Sequence, residues 1–230
     1  MFQTDPFALI VLFVGLSLVP FVAMIATSYL KIVVVMSLIR NALGVQSIPP
    51  NMVLNAMAMI LTFYIMAPVC NESWEIIKTE KAAMVQREKA ETPPAEGEPQ
   101  YETDIVGKAA APFKTWLQHQ TGERAKSFFV STAEVLWAKE GEEKAEVDPD
   151  SFYILIPSFC VSELTKAFQI GFLVYLPFIA IDIIISNILL AMGMMMVSPV
   201  TISLPFKLLL FVMVDGWTLL IQGLVRSYIL

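Results

Sequence analysis

Histidine and cysteine are nearly missing from this chain: His119 is the one histidine, and Cys70 and Cys160 are the two cysteines, among 230 residues. His119 stands between Gln118 and Gln120, so it has no neighbouring ligand for a metal and no partner for histidine-based acid–base chemistry. A glycine-rich loop that could cradle phosphate is also lacking, so nothing here points to an enzyme, a metal or a cofactor. The two cysteines bracket the middle of the chain. They are read either as a bridge, if that middle faces an oxidising compartment, or each as a small buried hydrophobe. A basic leader is missing too: Met1 is followed by Phe2, Gln3, Thr4 and Asp5, so the first apolar run is expected to be retained.

Charge is scarce outside one segment. Residues 71–150 hold 10 of the 15 Lys and Arg and 17 of the 21 Asp and Glu, leaving nine charged side chains for the other 150 residues. With 57% hydrophobic residues and a mean hydropathy of +0.68, the chain is too apolar for a water-soluble domain of this length. The pattern is that of a polytopic membrane protein carrying one polar, acidic insert. Basic patches are absent, which argues against a nucleic-acid partner.

Three segments follow from this distribution: apolar helical hairpins over 1–70, the acidic insert over 71–150, and an apolar hairpin over 151–230. The first apolar run, about Phe7 to Ala26, has the roughly 20 residues that span a hydrocarbon core, and Pro20 should kink it. A second helix is expected over Thr27–Arg40, closed by Gly44 and an extended turn at Ile48-Pro49-Pro50-Asn51. Met52–Val69 is the next span, with Pro68 and Cys70 expected to stop it. Within the insert, Glu72–Gln86 reads as a charged helix, 91–99 as a Pro-rich disordered loop, and Ala109–Ala138 as amphipathic helix with Phe113, Trp116, Leu117, Phe128, Phe129, Val135, Leu136 and Trp137 available to pack. The remaining apolar regions are Ile156–Val197 and Leu204–Val225. Lys31, Arg40 and Lys207 are read as lying on the short connections, so the charge bias places the insert and both chain ends outside the cytoplasm.

The C-terminal segment carries the distinctive runs. Pro157-Ser158-Phe159-Cys160-Val161-Ser162-Glu163-Leu164-Thr165-Lys166 is followed by Pro177-Phe178-Ile179-Ala180-Ile181-Asp182, and then by Met192-Gly193-Met194-Met195-Met196. Ser203-Leu204-Pro205-Phe206-Lys207 and Val214-Asp215-Gly216-Trp217 complete them, with Arg40-Asn41-Ala42-Leu43-Gly44 and Pro49-Pro50-Asn51 upstream. Together these motifs closely resemble the FliP/SctR family, the export-gate component of type III secretion systems. The resemblance covers nearly everything except the insert; Ser158 stands where the family usually has alanine. The uncleaved N-terminus fits the injectisome branch better than the flagellar one.

The resemblance implies an all-α fold of membrane-type helical hairpins with kinked apolar helices and a small polar helical insert, assembled into a helical ring. It implies a homo-pentamer in the bacterial inner membrane, projecting to the periplasmic side. The implied partners are FliQ/SctS-like and FliR/SctT-like gate subunits, FlhB/SctU-like and FlhA/SctV-like export components, and unfolded secreted proteins as substrates. Met192, Met194, Met195 and Met196 would form a pore gasket, since unbranched thioethers can seal a narrow hole and yield to a passing chain. Glu163 and Lys207 would form a salt bridge between neighbouring subunits.

Other readings of the same residues stay open. The methionines could be ordinary membrane-helix packing, and Glu163 could pair with Lys166 one turn away. Asp182, Ser186, Leu190 and Gly193 share a helical stripe with Asn187 beside it, which suits a packing seam between helices. The sharper alternative makes Asp182 and Asp215 parts of a proton or ion path. A conventional four-span ion channel or transporter is the competing function, with Asp182, Lys207 and Asp215 lining conduction.

Overall fold

The computed structural model describes residues 6–45, 48–89, 101–138, 144–194 and 196–229. Met1–Asp5, the Pro-rich stretch 91–99 and Met195 lie outside the described residues. Every regular element among those described is helical: α1 Pro6–Ile25, α2 Tyr29–Ala42, α3 Asn51–Lys89, α4 Tyr101–Gln120, α5 Glu123–Leu136, α6 Phe152–Ala191, α7 Pro199–Met213 and α8 Gly216–Arg226. The all-α expectation holds, and the long apolar helices suit membrane hairpins. By length and composition α3 and α6 can each cross a bilayer, and the bent pairs α1–α2 (56°) and α7–α8 (61°) bring the candidate spans to as many as four.

Three boundaries differ from the sequence reading. Pro68 does not stop a helix, because α3 runs unbroken for 39 residues through it. Proline forfeits one backbone hydrogen bond and crowds the carbonyl four residues earlier, at a cost of about 3 kcal/mol. The N-terminal bend falls at residues 26–28, between α1 and α2, although Pro20 lies inside α1. The last apolar region is two helices, since Asp215 takes a left-handed conformation with φ 50° and interrupts the ladder between α7 and α8.

The chain divides into two compact units, residues 1–62 with 163–230, and residues 63–162. In the first, α2 is the core helix. Ile32, Val35, Met36, Ile39 and Ala42 on its inner face are buried, and a Cβ added at Gly171 of α6 would come 2.3 Å from the Leu38 side chain. Residue 171 is glycine because α2 and α6 approach closely there. Around the α7–α8 bend, Phe211 packs against Phe178 and, edge to face at 5.4 Å, against Trp217.

In the second unit, Trp116 and Leu117 of α4 are buried with Ile154, Leu155 and Phe159 of α6. The Trp116 and Phe159 rings lie 5.2 Å apart, and Ser162 Oγ accepts from the Gly122 amide at 2.9 Å. Lys126 bonds Asp150 at 2.7 Å and, as the main cause, holds that carboxyl below its ordinary range. Only part of the expected apolar face packs here, for Phe128, Val135, Leu136 and Trp137 stay exposed.

The bend at Gly216 gives a direct check. A Cβ there would fall 2.3 Å from the Phe211 ring, whereas one at Gly223 would meet nothing within 4 Å. Gly216→Ala should therefore destabilise the chain by about 1–3 kcal/mol through overpacking, and Gly223→Ala should be neutral or stabilising by up to about 1 kcal/mol. Thermal unfolding of the two variants of the detergent-solubilised chain decides this; equal behaviour would show that the ring is not wedged under the bend.

Candidate functional site: buried ion pairs and a methionine turn

Glu163 lies on the inward stripe of α6, where Glu163, Ala167 and Gly171 recur at four-residue spacing and are all buried. Its Oε2 is 3.2 Å from Lys31 Nζ of α2, and both side chains are wholly excluded from solvent. Oε1 is 3.2 Å from Lys166 Nζ, as the one-turn spacing suggests. The Tyr228 hydroxyl, just beyond α8, donates to Oε2 and lies 3.3 Å from the Ser28 carbonyl oxygen. Lys31 Nζ stands 3.5 Å from the centre of the Tyr228 ring, so the ammonium is held by a carboxylate and an aromatic face together.

A second network ties α6 to α7. Lys207 Nζ is 2.6 Å from Asp182 Oδ2, and the Ser203 hydroxyl donates to Asp182 Oδ1 at 2.5 Å. Ser203 and Lys207 are one turn apart on α7 and both are buried. Asp182 precedes the end of α6 by nine residues, about 14 Å along a helix, so this tie lies below the turn that joins the two helices.

That turn is the methionine cluster. The Met194 amide bonds the Leu189 carbonyl at 2.9 Å and the Gly193 amide bonds Leu190 at 3.0 Å, with Gly193 at φ +75°. This is the paired closure that ends a helix on a left-handed glycine. Pro199 then opens α7 at a position where no amide is required. Met192 and Met194 are exposed and Met196 is fully so at 100%, giving a tip of bare thioether side chains with no core to fill. The helix therefore closes within the cluster, at Gly193, and does not run on through it.

The remaining sequence candidates fall as follows. Glu163 and Lys207 do not meet within the chain: Glu163 pairs with the buried Lys31, and Lys207 with the half-buried Asp182. Ser186 is half-buried, while Leu190 and Asn187 are exposed, so the stripe through Asp182 is not a buried seam of the single chain. Asp215 is exposed and accepts from Thr218 at 3.0 Å, apart from the Asp182 network. Cys70 and Cys160 are both free in this structure, Cys70 exposed and Cys160 half-buried. Among the described residues no group of three or more His, Cys, Asp or Glu could hold a metal.

Lys31 and Lys207, read from sequence as loop charges, are instead buried within α2 and α7, so neither marks a connection. Tyr228 was missed altogether. A signal for it existed: Leu220, Leu224 and Tyr228 repeat every four residues and are all buried. The partners themselves, far apart in sequence, could not be read from spacing.

Removing one member of the Lys31–Glu163 pair strands a buried charge. Lys31→Met should therefore cost about 3–5 kcal/mol, and the double change Lys31→Met with Glu163→Leu should recover much of that loss. Lys166→Ala, at a side chain 38% exposed, should cost at most about 1 kcal/mol. A double-mutant cycle on thermal unfolding measures this; a double variant no better than Lys31→Met alone would contradict it.

Comparison with known proteins agrees over nearly the whole length. Residues 12–224 match the model of the FliP family. Yop proteins translocation protein R of Yersinia pestis is 49% identical over 224 residues, 97% of each chain. Hypersensitivity response secretion protein HrcR of Ralstonia nicotianae is 44% identical over 221 residues, 96% of each. Virulence protein YscR of Salmonella typhimurium is 43% identical over 227 residues, 97% of each. Glu163, Asp182, the methionine turn and Lys207 all fall inside the matched range, and the chain belongs to the FliP family.

Proposed function

We propose that the chain is a pore-forming subunit of a type III secretion export gate of the injectisome branch, passing unfolded secreted proteins across the bacterial inner membrane. The observation that carries this reading is the 49% identity, over 97% of both chains, to a protein named for translocation of Yop proteins.

The geometry supports a structural part in that gate. An exposed methionine tip suits a constriction that seals by soft, unbranched side chains and gives way to a polypeptide. The Asp182–Lys207–Ser203 tie beneath it holds α6 and α7 together while the tip stays free to deform. Large apolar side chains remain exposed along α6 and α7, Phe168, Phe172, Ile184 and Leu209 among them, and lipid, neighbouring copies and other subunits would cover them. A homo-pentamer with FliQ/SctS-like and FliR/SctT-like subunits, served by FlhB/SctU-like and FlhA/SctV-like components, is the assembly we infer. We infer from the family resemblance that the assembly sits in the inner membrane and projects to the periplasmic side. Because Glu163 and Lys207 are already buried with partners of their own, a direct bridge between them across subunits would require both networks to open.

Replacing Met192, Met194, Met195 and Met196 together by alanine tests this function. In cells with an otherwise complete apparatus, the complex should be recovered in normal amount while ions leak through the membrane. An assembled complex that stays tight to ions, or one in which Asp182→Asn and not the methionine change alters ion flux, would point to a conventional channel or transporter instead.

A further inference from the structure

Two bent helix pairs meet at one phenolic hydroxyl. Ser28 sits in the break between α1 and α2, wholly buried, and its carbonyl oxygen accepts from the Ile32 amide at a long 3.4 Å. The Tyr228 hydroxyl lies against that same oxygen at 3.3 Å while it bonds Glu163 of α6. Tyr228 follows α8, the far arm of the other bent pair, and its ring covers the Lys31 ammonium at 3.5 Å. The first turn of α2 and the end of α8 are therefore referred to one carboxylate through one side chain.

From this arrangement we infer that Tyr228 is a positioning residue: a tie through which the α1–α2 bend and the α7–α8 arm are held in a single relative setting. The ring and the hydroxyl have separable tasks. The ring fills space and faces Lys31, contributing burial and cation–π attraction. The hydroxyl alone reaches both acceptors: its one proton goes chiefly to Glu163, with the Ser28 carbonyl oxygen as the weaker arm of a shared contact at 3.3 Å, and such a contact fixes direction more than it adds stability. Apolar packing of Leu220 and Leu224 can hold α8 in place but cannot fix its rotation against the bend. A polar contact at Ser28 can. The inference concerns the chain's own mechanics and does not depend on the export function.

Pulsed electron resonance distances on the full chain, in membranes or in the recovered complex, test it. In a Cys70→Ser, Cys160→Ala background, spin labels at the exposed positions 22 and 222 report α1 against α8, and labels at 184 and 200 report α6 against α7, which Asp182 and Lys207 hold. Tyr228→Phe should broaden or shift the 22–222 distance distribution and leave the 184–200 distribution as it is. Ile229→Ala, at an exposed neighbour, should change neither. An unaltered 22–222 distribution in Tyr228→Phe overturns the tie, as does equal broadening of both pairs, which would mean general loosening. Tyr228→Phe keeps the ring and its packing, so the test does not rest on a variant that fails to fold.

Discussion

A lysine and a glutamate, both with no exposure to solvent, face each other at 3.2 Å inside an otherwise apolar protein, and the arrangement of the first unit depends on that pair. Removing two charges from water costs several kcal/mol each, so such a pair persists only where geometry and further hydrogen bonds offset the loss. Lys166 and the Tyr228 hydroxyl supply the further partners for Glu163, and the Tyr228 ring supplies a face for Lys31. Apolar packing alone would tolerate sliding of α2 along α6. A charge that must meet its counter-charge does not tolerate it, and Gly171 beneath Leu38 is in contact with the register this sets.

The same physics explains why the second pair stands where it does. The turn after α6 exposes Met192, Met194 and Met196, so the helices that carry it need a fastening below it. Asp182, Ser203 and Lys207 provide one from within the apolar stretch. Rigid helix ends with a soft tip are what a constriction opened by a passing polypeptide would require. The left-handed closure at Gly193 and the proline start at Pro199 confine the turn to a few residues.

Much of this was legible in the sequence, and the limits have physical causes. The motif runs from Pro157 to Trp217 led to the family, and the match over residues 12–224 bears that out. The turn at Gly193 was harder to read, because Asp182, Ser186, Leu190 and Gly193 also fit one helical stripe. Pro68 misled because the local penalty of one proline was weighed without the length of the helix around it, 39 residues that run through it unbroken. Lys31 misled because a lone basic residue near a break looks like a loop charge until its carboxylate, 132 positions later, is brought beside it. Tyr228 escaped notice because its polar role exists only once α2, α6 and α8 are assembled. Ion pairs between distant elements leave no local period to read.

The claim that this chain is a gate subunit is tested most directly by native mass spectrometry of the detergent-extracted protein, alone and co-expressed with FliQ/SctS-like and FliR/SctT-like subunits. The account predicts a closed ring of about five copies that takes up those subunits. A monomer or dimer that never accepts them would contradict it.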